Sequence, residues 1–282
     1  MSLRDFIPPV IFKVRSALIN AVKGNGLNTE EKALLERNSV FKNKHTGKRC
    51  FILGTGSSVG KMDLTVLANE ITIGMNEFHL HPDFAKIRPS YMVFSGFGIH
   101  NVPLEKQLSW YPSYGQTIKG ISTPFINIVD YPLIRSKDFL TENDVHYFHV
   151  GHSFSELPKK GIDLTKSIFA SQSVGALSIQ IALYMGFSEI YLVGFDHDWL
   201  LRMFDHQPTH FYKHDNSILY KNVNEVSGIS VSYEAGSLVT LFGNYSSLKE
   251  HADKGGTHIF NATVGGMLDV FPRVSFESLF QS

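Results

Sequence analysis

Apolar residues come in short blocks between polar turns, and the blocks change period along the chain. Arg49 to Leu53 is a compact apolar run that predicts a strand buried on both faces. Glu70 to Met75, Tyr91 to Ser95, Pro124 to Val129, Val145 to Val150, Glu189 to Val193 and His258 to Phe260 predict further strands. Between Ser171 and Met185 the residues are apolar nearly all round, which predicts a buried helix capped by Ser171 or Ser173 and ended by Gly186. A second helix is expected over 236–252, with Leu238, Leu241, Phe242, Tyr245 and Leu248 on one side. Residues 102–122 suit a helix and a loop, and Asp63 suits the cap of a short helix through Leu67. Strands alternating with helices predict an α/β fold with a mostly parallel sheet.

The two ends of this pattern differ from its middle. Val10, Ile11, Val14, Ala17, Leu18, Ala21 and Val22 form an apolar stripe at helical spacing behind Pro8-Pro9. That helix either docks on protein, its own domain or a second subunit, or lies in a membrane interface. Residues 25–48 are polar and read as a linker with a short helix near Glu30 to Glu36. Residues 199–235 are aromatic, histidine-rich and poorly patterned, as lids and binding loops often are. The expected organisation is a helix and linker over 1–47 and one α/β domain over 48–282, with 199–235 as its lid.

The turn after the first strand carries the densest candidate chemistry: Gly54-Thr55-Gly56-Ser57-Ser58. Glycines there allow a sharp turn and close approach of a ligand to backbone amides. A P-loop is excluded, because Thr55 stands where glycine is required and Met62 where a hydroxyl must bind magnesium. A dinucleotide fingerprint fits poorly, since Val59 replaces its third glycine. A nucleotide site built on Gly-x-Gly with a following Asn76 fits without exception, and a tight turn without a ligand stays open. In open α/β sheets ligands bind beyond the carboxyl ends of strands. That places Gly54, Thr55, Gly56, Ser57, Asn76, Ser95, Ser171, Gln172, Ser173 and Asp196 around one crevice.

Composition narrows the classes further. The 282 residues carry 26 basic and 26 acidic side chains, so no basic excess points to nucleic acid. Cys50 alone supports no disulfide framework, and no apolar run is long enough to span a bilayer. No secretory signal is evident, so a cytoplasmic protein is expected, at the inner face of the inner membrane if residues 1–24 bind lipid. His79 and His81, and the His146, His149 and His152 group, lack the further ligands a metal site needs.

In their order, these motifs resemble the bacterial sialyltransferases of the Campylobacter type. The wider superfamily includes 6-hydroxymethylpterin diphosphokinase-like proteins. The carriers are CFILGTGSSVGKMDLTVLANEITIGMNEF, Ser171-Gln172-Ser173 with its following helix and Gly194-Phe195-Asp196 strand end, Thr209-His210-Phe211-Tyr212, and the run from Asn261 to Pro272. The resemblance covers roughly residues 48–277. Ser57 stands where the family has proline, Gln172 and Ser173 replace its Ser-Gly, and Ser95 replaces an asparagine.

The resemblance implies a Rossmann-like variant of the GT-A fold. It implies an inverting, metal-independent transfer of a sialic or related ulosonic acid from a CMP-sugar donor. The acceptor would be a hydroxyl of a surface glycan or glycolipid, and no cofactor would be required. It further implies His210 as the catalytic base, with His206 and His214 as substitutes, and Tyr212 or Tyr220 as donors to the departing phosphate. Two rivals stay open. One is an ATP- and magnesium-dependent diphosphokinase with Asp196 and Asp198 as metal ligands. The other is a non-catalytic module of a polysaccharide-assembly complex docked through residues 1–24.

Overall fold

The computed structural model describes residues 26–97, 102–205, 207–212 and 231–281. The apolar stripe of residues 1–24, His206, His214 and Tyr220 lie outside them. Among the described residues eight strands form one sheet: β1 (Arg49–Leu53), β2 (Thr72–Met75), β3 (Tyr91–Phe94), β4 (Thr123–Asn127), β5 (His146–His152), β6 (Ser167–Phe169), β7 (Glu189–Val193) and β8 (His258–Asn261). Their spatial order is β6-β5-β4-β3-β2-β1-β7-β8, and every pairing is parallel. The expected α/β class therefore holds, with a sheet wholly parallel rather than mostly so.

Alternation along β1 divides the core into two layers. Cys50 and Ile52 face one, with α3 (Val174–Tyr184) and α5 (Val231–Lys254). Phe51 and Leu53 face the other, with Val59, Leu64, Leu67 and α2 (Leu104–Ile118). The connection from β1 to β2 therefore lies on one face and that from β7 to β8 on the other. Where adjacent parallel strands send their connections to opposite faces, the fold has its switch point. Here that point lies between β1 and β7.

The polar stretch expected to be a linker is built into the domain. α1 (Thr29–Glu36) carries the Asn28–Glu31 capping box, and Leu35 and Phe41 are buried in the two layers. Asn38 is fully buried and donates to the carbonyls of Tyr147 and Leu164 at 2.7 and 2.9 Å. The amides of Asn43 and His45 reach the carbonyls of Tyr184 and Met185 at 3.0 and 2.8 Å. A buried helix end must find such partners, so this segment caps α3.

The segment expected to be irregular is bounded by helix. α4 (Trp199–Asp205) begins it, and α5 starts at Val231, five residues ahead of Gly236. Weak patterning at Trp199 and around Gly236 hid both boundaries. β6, at three residues, is too short to alternate and was not expected at all. No described helix is long and apolar enough to cross a membrane.

Candidate functional site

The carboxyl end of β1 runs directly into Gly54-Thr55-Gly56. Gly54 N donates to Val193 O at 2.7 Å and Gly56 N to Gly194 O at 3.1 Å. A Cβ on Gly54 would overlap the Gly194 carbonyl, and one on Gly56 would lie 2.5 Å from Asp196 Cγ. These glycines are required by backbone packing across the switch point.

Ser57–Lys61 is a single 3-10 stretch rather than an α-helix, and its start is already occupied. Asp196 accepts from Ser58 N at 2.9 Å, from Ser58 Oγ at 2.5 Å and from Ser57 Oγ at 3.3 Å. Burial pushes the Asp196 carboxyl above its usual range, and the Ser58 hydrogen bonds pull partly against that. Asp196 thus joins the end of β7 to the turn after β1. Asp198 is engaged by Arg202 at 2.7 Å. Among the described residues no three carboxylate, histidine or cysteine groups converge as metal ligands do.

A second strap crosses the same turn. Phe211 N donates to Thr55 O at 3.2 Å, and His210 forms an antiparallel bridge with Gly56. His210 Nδ1 lies 3.1 Å from Thr55 O and 3.2 Å from Thr55 Oγ1. A carbonyl can only accept, so Nδ1 carries the hydrogen and the lone pair of the neutral ring belongs to Nε2. Tyr212 stacks beside the imidazole, with ring centroids 5.0 Å apart and planes within 3°. Its phenol donates to Glu77 Oε2 at 3.4 Å, which makes Tyr212 an anchor of the strap.

Asn76 stands at the carboxyl end of β2, two strands from β7, with φ of 46°. Asparagine tolerates that left-handed geometry better than most residues. Its buried Oδ1 has no hydrogen-bond partner among the described residues. Ser95 is buried at the end of β3.

Ser171, Gln172 and Ser173 precede α3 and are gripped by α5. Asn244 Nδ2 donates to Ser171 Oγ at 3.4 Å, Ser237 Oγ to Gln172 Oε1 at 2.7 Å, and Tyr245 OH to Ser173 Oγ at 3.3 Å. Ser173 also accepts from Gly175 N at 3.1 Å, the expected cap. The Tyr245 hydroxyl meets His197 Nε2 at 2.8 Å. Burial pushes His197 down to about 4.

The structure thus gathers Gly54, Thr55, Gly56, Ser57, Asp196 and His210 into one contact network. The serine group reaches that network through Tyr245 and His197, beside Asp196. Asn76 joins it through its neighbour Glu77 and Tyr212. Sequence reasoning missed Glu77 and Arg273. The Arg273 guanidinium holds the carbonyls of Thr263, Gly265, Gly266 and Leu268 at 2.6 to 3.2 Å. That loop in turn seats Met267 N on Asp196 O at 2.7 Å. No periodic signal marks either residue. His79 packs on Trp110 and Tyr114, and His81 on Phe78 and Phe211.

No family model matches the chain, and no curated protein matches it. Among solved structures, the sialyltransferase CstII from Campylobacter jejuni in complex with cytidine-5'-monophosphate is similar at 14% identity and a TM-score of 0.39. That match covers 80% of this chain and 84% of the other. CstII in complex with CMP-3FNeuAc is similar at 14% identity and a TM-score of 0.41, over 81% and 85%.

Proposed function

We propose that the chain is an inverting, metal-independent glycosyltransferase of the sialyltransferase type. It moves a sialic or related ulosonic acid from a CMP-sugar to a hydroxyl of a surface glycan or glycolipid. The observation that carries this reading is the His210 imidazole, whose Nδ1 is 3.1 Å from the Thr55 carbonyl. That contact leaves Nε2 with the lone pair a general base needs. As the acceptor oxygen bonds to the anomeric carbon, the bond from that carbon to the phosphate oxygen breaks. The hydroxyl proton passes to Nε2, and CMP departs with the bond's electron pair. A reference histidine pKa of about 6.5 suits the transfer near neutral pH. Asn76, whose buried Oδ1 has no hydrogen-bond partner among the described residues, is proposed to meet a donor group on the nucleotide base.

The order of motifs in the sequence supports the donor class. The diphosphokinase reading loses ground because the carboxylates it needs, Asp196 and Asp198, are committed to Ser57, Ser58 and Arg202. The test is CMP release from CMP-N-acetylneuraminic acid in EDTA, with lactose as acceptor. Losing a general base costs roughly 10²- to 10⁴-fold, and His210→Ala is expected to fall in that range. Turnover by His210→Ala equal to that of the unaltered chain would remove His210 from the chemistry.

A further inference from the structure

Glu77 follows Asn76 at the carboxyl end of β2 and is 1% exposed. A carboxylate so buried needs hydrogen bonds to offset its lost hydration. It receives one from Tyr212, whose side chain is itself buried and lies parallel to the His210 ring. Between the two, Phe211 turns the other way and meets Phe78 and His81 edge-on at 6.1 and 5.2 Å. Three consecutive residues of the strap are therefore held by three different groups. His210 is held by the Thr55 carbonyl, Phe211 by the aromatic pair and Tyr212 by Glu77.

Thr55 holds the Nδ1 edge of the imidazole through its carbonyl and its hydroxyl, at 3.1 and 3.2 Å. The Tyr212 ring stacked beside the imidazole bears on the tilt about that edge, and the Tyr212 hydroxyl bond to Glu77 bears on the tilt of Tyr212 in turn.

We propose that Glu77 is a positioning residue for His210, acting through Tyr212 to hold the imidazole in the plane where Nδ1–H meets Thr55. It thereby keeps the lone pair on Nε2. The catalytic consequence rests on the reading of His210 as a base; the geometric claim does not. Misplacing a catalytic group by about 1 Å costs on the order of 100-fold in rate.

The test is the imidazole nitrogen NMR spectrum of the full chain labelled in histidine, with the His210 signals identified by their loss in His210→Gln. The unaltered chain is expected to show His210 with the hydrogen on Nδ1. In Tyr212→Phe, which keeps the ring, and in Glu77→Leu, a mixture of tautomers is expected. Glu77→Gln, which keeps an acceptor oxygen, is expected to restore the original pattern. If Glu77→Leu fails to fold, Tyr212→Phe decides alone. A folded Tyr212→Phe protein with the unaltered His210 spectrum would overturn the proposal.

Turnover of CMP-N-acetylneuraminic acid supplies the second arm. Tyr212→Phe is expected to lose about 10- to 100-fold in kcat with KM for the donor kept. An unaltered chain that turns over no CMP-sugar would sink the sugar-transfer reading and leave the spectrum to judge Glu77.

Discussion

The turn after β1 and the turn before α3 are both short, polar and rich in small residues, yet they are held in opposite ways. From Gly54 to Ser58 the backbone itself is clamped, by carbonyls of Val193 and Gly194 at Gly54 and Gly56 and by the Asp196 carboxylate at Ser58. At Ser171-Gln172-Ser173 the grip comes from side chains of α5, through bonds of 2.7 to 3.4 Å. A glycine pair at a strand end therefore need not mean a ligand at the glycines. Here they let two strand exits touch, and the polar groups suited to a ligand stand beside them.

The contrast is broken most directly by adding one carbon. Gly56→Ala puts a Cβ 2.5 Å from Asp196 Cγ, and inserting atoms into a filled site costs about 3 kcal/mol. A chain with its denaturation midpoint unmoved by Gly56→Ala would show that the two exits are not in contact.

The two turns also predict opposite responses to acid. Burial lowers His197 from 6.5 to about 4, so between those values the unfolded chain binds more protons. Its stabilising contribution is present above pH 6.5 and is lost as pH falls to about 4, worth about 2 kcal/mol after discounting for partial exposure. Burial raises Asp196, so its contribution is present below about pH 4 and is lost as pH rises through its folded pKa. Denaturation midpoints between about pH 4 and 6.5 are expected to depend less on pH in His197→Gln, while Asp196→Asn is expected to remove the loss that sets in as pH rises above about 4. Identical slopes in the two variants would contradict this pairing.

Smaller effects separate the side-chain grip further. Tyr245→Phe leaves the His197 and Ser173 contacts unmade and is expected to cost about 1 kcal/mol in urea unfolding. Gln172→Ala removes only an exposed bond to Ser237 and should shift the same midpoint by less than about 0.5 kcal/mol.

Much of this was legible because it depends on neighbours in sequence. The apolar runs at β1, β3 and β7, the Ser173 cap and the all-round apolar helix α3 are local signals, and each appears where its residues place it. What escaped depends on distant contacts. Asp196 meets Ser58 across 138 residues, and Glu77 meets Tyr212 across 135. A polar stretch such as 37–47 looks like a linker until the end of α3 that it caps is in place. His210 was singled out by type and motif order, while its tautomer follows only from the carbonyl of Thr55.

The central claim is that this crevice takes a cytidine nucleotide without metal. Thermal unfolding of the full chain with CMP in EDTA, set against ATP with magnesium, tests it most directly. Ligand at 100 times its Kd adds about 2.7 kcal/mol to stability. The account predicts a rise in Tm with CMP in EDTA and none with ATP and magnesium. A rise only with ATP and magnesium would contradict it.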